Sequence, residues 1–225
     1  KFQIKFKTKN GDGMRYFSLI LILFSFLAAE QLSAQGAIQR RGQPPEWAQE
    51  LRSYYDTVNT LMQEGKFKDA IEPAKKAYKI MDKNVSSYSP QRGGISSMLA
   101  QVYAQAGKFE EAKPYMQSAL KIFEDVYGKD SSAITRFLIG MGQIYSQLEK
   151  HDSSEVMFDR AVKLQEKVYG KDSVALLPTL QAKAQSLTAA KKYEKAENTM
   201  RRIYEINKQT YGENSQDALE SLTNL

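Results

Sequence analysis

The chain contains no cysteine and a single histidine among its 225 residues. The first absence excludes disulfides, thiolate catalysis and cysteine-based zinc or iron–sulfur centres. The second leaves no partner with which His151 could complete a histidine metal site. Long apolar runs are equally scarce. The longest reaches from Tyr16 to Ala29, broken only by Ser18 and Ser25, and falls short of the roughly 20 residues that a membrane-spanning helix needs. No long run of basic residues occurs either. The formal charge is +6, but the balance is split evenly at Ala34, with a net of +3 on each side. Downstream of that point acids and bases are intermixed, so the clustered footprint of a nucleic-acid-binding protein is missing. Apolar and charged contents of 42% and 26% are those of an ordinary soluble globular chain.

What the first part of the chain does contain has the order of a secretory leader. Arg15 follows Met14, the apolar stretch comes next, and Leu32-Ser33-Ala34 supplies a small residue for cleavage after Ala34. The segment is similar to bacterial leaders ending in Ser-Ala-Gln; the competing reading is an uncleaved membrane anchor. Residues 1–13 precede a plausible initiator and read as an upstream extension or expression remnant. Residues 35–46 are polar and hold Gly36, Gly42, Pro44 and Pro45, a linker composition. The folded part is expected over 47–225, opening at Trp47.

That part repeats. Phe67, Phe109, His151 and Tyr193 stand 42 residues apart, as do Ala70, Ala112, Ser154 and Ala196, and Leu61, Tyr103, Tyr145 and Leu187. Tyr127-Gly128-Lys129-Asp130 returns as Tyr169-Gly170-Lys171-Asp172 and Tyr211-Gly212-Glu213-Asn214. The units are about 51–92, 93–134, 135–176 and 177–218, with a fifth starting at 219. Each unit reads as two helices. In the second, Leu99, Ala100 and Tyr103 form one apolar stripe and Ala112, Met116, Ala119, Leu120 and Phe123 another, at helical spacing. Gly107 and Gly128 are placed to end the two helices. Asp130 and Ser131 suit the start of the next, and Pro90 after Ser89 fits a first turn. Val85-Ser86-Ser87-Tyr88 and Val58 make unit one the atypical member, as terminal repeats often are. Leu222 and Leu225 fall in register with Leu180 and Lys183, which implies that the natural protein continues. A helical hairpin cannot bury its apolar face alone, whereas stacked hairpins share a core.

The pattern Leu99-Ala100, Tyr103, Gly107, Ala112, Met116, Ala119 resembles the tetratricopeptide signature. The 42-residue period and the Tyr-Gly-Lys-Asp junctions resemble the longer repeats of the kinesin light chain type. The resemblance covers about residues 51–225. It implies an all-α fold: a right-handed superhelical solenoid of stacked antiparallel helix hairpins, with a concave and a convex side. It implies binding of a protein or peptide, with no cofactor and no catalysis. Kinesin light chains resemble one another in an Asn-Leu-Ala row, but that row here reads Asp56, Met98, Gly140 and Ala182, so their mode of cargo recognition does not transfer.

Sites of chemistry are sought without success. His151 occupies the row of Phe67, Phe109 and Tyr193 and is expected to pack, half-buried, at a turn. Gly170-Lys171-Asp172-Ser173 is not a phosphate loop, since that motif needs Ser or Thr directly after Gly-Lys and an earlier glycine where Gln165 stands. Tyr127, Tyr169 and Tyr211 are expected to be packing residues rather than a recognition stripe.

The resemblance also assigns the first helix of each unit to the concave side. By register the groove-facing rows are Asn59, Gln101, Gln143 and Gln185; Tyr55, Ser97, Ile139 and Gln181; and Gln63, Gln105, Gln147 and Ala189. The groove is thus rich in amides and nearly free of charge, with Arg52 and Arg136 near one end. Amides donate and accept, so a ladder of them can grip the main chain of an extended peptide. The competing reading is that glutamines simply solvate a helical face.

Three functions follow as expectations. The first is an envelope or extracellular scaffold that presents the groove to a peptide or partner helix. The second is the regulatory N-terminal part of a larger enzyme, because such arrays look like those preceding CHAT-type protease domains or, across a membrane helix, signalling kinases. The third is self-assembly. No nucleic acid is expected as a partner, and no membrane unless the leader is retained.

Overall fold

In the computed structural model, residues 44–223 are described; the extension, the leader and the linker as far as residue 43 lie outside them, as does Leu225. The described residues hold helices and two short 3₁₀ turns, and no strand. The helices are α1 (Glu46–Gln63), α2 (Ile71–Asn84), α3 (Pro90–Gln105), α4 (Phe109–Tyr127), α5 (Thr135–Gln147), α6 (His151–Tyr169), α7 (Leu177–Ala189), α8 (Tyr193–Tyr211) and α9 (Gln216–Thr223). From Glu50 onward they form one compact unit. Within it α3 pairs with α4, α5 with α6 and α7 with α8, and each pair stacks on its neighbours. The fold is therefore the stacked-hairpin helical solenoid expected from the repeat.

The caps follow from single residues. Ser89 accepts from the Arg92 amide at 3.2 Å, Ser131 from Ala133 at 3.2 Å, Ser173 from Ala175 at 3.3 Å and Ser215 from Ala218 at 3.3 Å. Serine rather than the preceding Asp130 is the capping side chain, because only its hydroxyl stands over the first exposed amides. Pro90 occupies the first turn of α3. At the other end of each long second helix, Gly128, Gly170 and Gly212 adopt φ 88°, 88° and 94° with ψ near 155°. That combination is essentially confined to glycine, which is why the Tyr-Gly pair recurs.

Small residues let each hairpin close. Ala70, Ala112, Ser154 and Ala196 are buried, as are Val58, Ala100, Gly142 and Ala184. A Cβ on Gly142 would lie 3.0 Å from the ring of Phe158. The repeat-equivalent pairs are Val58 with Ala74, Ala100 with Met116, Gly142 with Phe158 and Ala184 with Met200. At these equivalent positions the larger one residue is, the smaller the other; the contact itself is seen between the Gly142 position and Phe158. Unit one departs, as its sequence does: residues 67–70 form turns before α2, and Val85 ends that helix in an extended conformation.

Candidate functional site

Successive first helices touch one another, α3 with α5 and α5 with α7. Successive second helices are spanned instead by long side chains. Arg160 of α6 reaches Glu124 of α4 at 2.5 Å and donates to the Lys129 carbonyl at 2.7 Å. Arg202 of α8 repeats this one unit on, reaching Glu166 at 2.7 Å and the Lys171 carbonyl at 2.6 Å. The layer of first helices is the more tightly drawn of the two, and it carries the three rows read from the sequence.

None of those row residues is buried. Gln63, Gln105, Gln143, Gln147, Gln181, Gln185 and Ala189 are exposed, while Tyr55, Asn59, Ser97, Gln101 and Ile139 are half-buried. Desolvation raises the pKa of the Tyr55 phenol above its ordinary value, so that residue stays neutral and can only donate or accept hydrogen bonds. Among the described residues, none of the eight amides in these rows has a hydrogen-bond partner within the chain. Of the other described amides some, such as Gln91, Asn198 and Gln209, are likewise not engaged, and others are: Asn84 donates to the Ile80 carbonyl at 2.8 Å, Gln117 to the Tyr145 hydroxyl at 3.2 Å and Gln216 to Glu220 at 2.7 Å. The Arg136 guanidinium lies over the rings of Phe137 and Phe123, 4.5 and 5.2 Å from their centroids.

Two clefts lie elsewhere. One of about 270 Å³ is bounded by Leu180, Lys183, Lys195, Asn198, Thr199 and Arg202. Its three cations are already paired, with Asp159 at 2.6 Å, Glu155 at 2.5 Å and Glu166 at 2.7 Å, so no net positive charge is left for an anion. The other, about 440 Å³, lies at the turn around His151 beside Asp152 and Lys192. His151 is half-buried, in keeping with its expected packing role, and its Nδ1 has no partner. Among the described residues no group of three or more His, Asp or Glu is placed to hold a metal ion, and no helix is long and apolar enough to cross a membrane.

The tyrosines of the junctions are a correction. Tyr127, Tyr169 and Tyr211 are 50%, 56% and 52% exposed, not packed between units. They sit on the last turn of their helices, and the following glycine turns the chain away, leaving about half of each side chain uncovered. Two features of the unit 3–unit 4 boundary are also invisible as motifs. Ser154 donates to the Gly142 carbonyl at 2.7 Å and lies 2.8 Å from the Ser186 hydroxyl, both serines buried. Glu155 receives Lys192 and Lys195 at 2.8 and 2.5 Å. The available signal was the substitution itself: serine at 154 where the row otherwise holds alanine, and serine at 186 where Val102 and Ile144 stand.

The tetratricopeptide repeat profile matches residues 93–167 and 136–209, together about half of the chain. The chain belongs to the tetratricopeptide repeat family. No curated protein matches it by sequence. Solved structures do. The kinesin light chain TPR-like repeats of Podosopora anserina align at 18% identity and a TM-score of 0.68, covering 76% of this chain and 81% of that one. BtubC (BKLC) from P. vanneervenii aligns at 24% identity and 0.66, over 88% and 77%. The apo form of RapI aligns at 14% and 0.62, over 93% and 80%. At these identities the likeness establishes the fold. Folds of this class typically act as non-catalytic scaffolds for proteins or peptides.

Proposed function

We propose that the chain is an interaction scaffold that binds an extended peptide, or an extended stretch of a partner protein, along its layer of first helices. The observation that carries this reading is the state of the amides. Asn59, Gln101, Gln143 and Gln185, flanked by Gln63, Gln105, Gln147 and Gln181, present donors and acceptors that nothing in the chain uses. Asn59 and Gln101 are half-buried, so a peptide laid along the row meets them partly shielded from water. A peptide main chain offers the matching acceptors and donors at regular intervals, and an uncharged surface imposes no charge requirement on its side chains. Tyr55, Ser97 and Ile139 would supply contact area beside the ladder.

The test is a triple substitution, Gln101→Ala, Gln143→Ala and Gln185→Ala. Peptides selected on the wild-type chain from a random library are titrated against both proteins by fluorescence anisotropy. The variant is expected to keep its circular dichroism, since alanine is the better helix former, and to bind on the order of tenfold or more weakly. Unchanged affinity would sink the reading.

The location proposed for this activity is the bacterial envelope or exterior, on the strength of the leader composition from Met14 to Ala34. N-terminal sequencing of the protein recovered from its native cell tests that directly: a mature chain beginning at Gln35 supports it, and an intact N-terminus in the cytoplasm removes it.

A further inference from the structure

Exposed apolar side chains are unevenly placed on this molecule. Of the ten large hydrophobic residues that stand exposed among the described residues, seven lie at the ends of second helices or in the loops that follow them: Tyr88, Val126, Tyr127, Val168, Tyr169, Val174 and Tyr211. Tyr127, Tyr169 and Tyr211 are repeat-equivalent, as are Val126 and Val168, so these five line one edge of the stack. Val168 and Tyr169 are 53% and 56% exposed side by side. A repeated row of exposed apolar residues is where an interaction surface is to be sought.

The strip is held rigid. Arg160 and Arg202 grip the carbonyls of Lys129 and Lys171, the residues that follow the junction glycines. Tyr127 rests one face on Phe123 at a centroid distance of 5.4 Å and leaves the other open. Little conformational freedom remains to be lost when such a surface is covered, and tyrosine itself has few rotatable bonds.

The charges beside the strip indicate what covers it. Each of the two central junctions carries one base and one acid in succession, Lys129-Asp130 and Lys171-Asp172, all four exposed, and Asp130 also lies 3.9 Å from the exposed Lys167. The four charges of these two junctions are balanced, with opposite signs in alternation. Two copies turned antiparallel across a two-fold axis bring Lys129 and Lys171 of one copy to Asp172 and Asp130 of the other. Tyr127 then lies against Tyr169. A surface used by both partners of a two-fold pair must be complementary to itself, and this one is. We propose that the junction edge is a self-association surface, through which two copies of this chain pair edge to edge and leave the amide rows free. The tyrosines and valines provide the buried area, and the charges fix orientation more than affinity.

Sedimentation of the full chain over a wide concentration range tests the pairing. The wild type is expected to dimerise reversibly, and Tyr127→Ser/Tyr169→Ser to lose on the order of tenfold or more in dimer affinity with unchanged circular dichroism. Charge swaps decide the geometry. Lys129→Asp/Lys171→Asp and Asp130→Lys/Asp172→Lys each repel their own copies and are expected to weaken dimerisation alone, while a mixture of the two restores it. A wild type that stays monomeric overturns the proposal. So does association that is indifferent to the tyrosine and charge variants, as association through the leader would be.

Discussion

Glu149 and Lys191 hold backbone conformations that their side chains make costly. They sit at φ 58° and 59°, where the equivalent positions of units one and two are Gly65 and Gly107 at 73° and 76°. All four end a first helix with the left-handed residue that lets the chain turn back. A side chain there costs on the order of 1 kcal/mol relative to glycine. Glu149→Gly and Lys191→Gly are therefore expected to raise Tm by roughly 2–4 °C each in a chain of this size, read by thermal melting; a fall in Tm would show that another contact at that residue outweighs the strain. The buried hydroxyl pair behaves in the opposite sense. Ser186 can donate to Ser154 while Ser154 donates to the Gly142 carbonyl. Ser154→Ala leaves the Ser186 hydroxyl unmet in a dry site and should cost about 1–3 kcal/mol. Adding Ser186→Ala removes the orphan and should recover part of that loss in a chemical-denaturation cycle. If the double variant is no better than the single, Ser186 was not relying on Ser154.

At the level of the element, the sequence is most legible where geometry repeats. Ala70, Ala112 and Ala196 recur at one spacing because a closely packed hairpin demands a small residue there, and an uninterrupted period lets the demand be read in every unit. The junction glycines are legible for the same reason, since a backbone requirement is local. The placement of Tyr127, Tyr169 and Tyr211 was not legible, because an aromatic residue at a helix end packs or stands free according to what the next unit puts over it. The groove rows occupy an intermediate position. Helical register alone puts Gln101, Gln143 and Gln185 on one face, but whether their amides are engaged depends on neighbours 30 to 40 residues away. Hairpin packing gives a test. Gly142→Ala places a methyl group 3.0 Å from the Phe158 ring and is expected to destabilise the chain by about 1–3 kcal/mol through overpacking. Units two and four carry alanine and methionine at the equivalent positions. Gly142→Ala combined with Phe158→Met should thus restore most of the loss, because methionine adapts to irregular gaps. Failure of the double variant to recover in urea unfolding would mean that the pair is not a shared volume.

The stability of a solenoid is close to a sum of unit terms and nearest-neighbour terms, so the character of each boundary governs where the molecule loosens. Units one and two meet through the Tyr78–Tyr115 edge contact at 5.3 Å and the Arg92–Asp82 ion pair. Units two and three meet through Phe123 and Phe137, 4.4 Å apart, with Arg136 over both rings. Units three and four add to their apolar cluster of Val162, Leu176, Leu180, Ile203 and Ile206 a row of ion pairs. Asp152 meets Lys192 at 2.7 Å, Glu155 meets Lys192 and Lys195, Asp159 meets Lys183 at 2.6 Å and Glu166 meets Arg202 at 2.7 Å. Exposed pairs of this kind are individually weak and are screened by salt; Arg160–Glu124 and Arg92–Asp82 cross the other boundaries, but the third carries the most pairs and is the one that solution conditions reach furthest. Its pH window has two sides. Hydrogen bonds from Lys192 and Lys195 hold Glu155 below the usual carboxylate range, and Lys192 holds Asp152 down in the same way. Their contribution is complete above the unfolded carboxylate pKa of about 4 and is lost as pH falls through the lower folded values. Hydrogen bonds from Asp152 and Glu155 raise Lys192, whose contribution is complete below about 10.4 and is lost only as pH rises through the higher folded value. Hydrogen exchange followed helix by helix is therefore expected to show α7 and α8 losing protection before α3 and α4, both on acidification below about pH 4 and on raising the ionic strength at neutral pH. Glu155→Gln should lower their protection at neutral pH and shrink its further response to acid. Equal loss across all units, or an acid response that Glu155→Gln leaves untouched, would show that the apolar cluster alone holds the boundary.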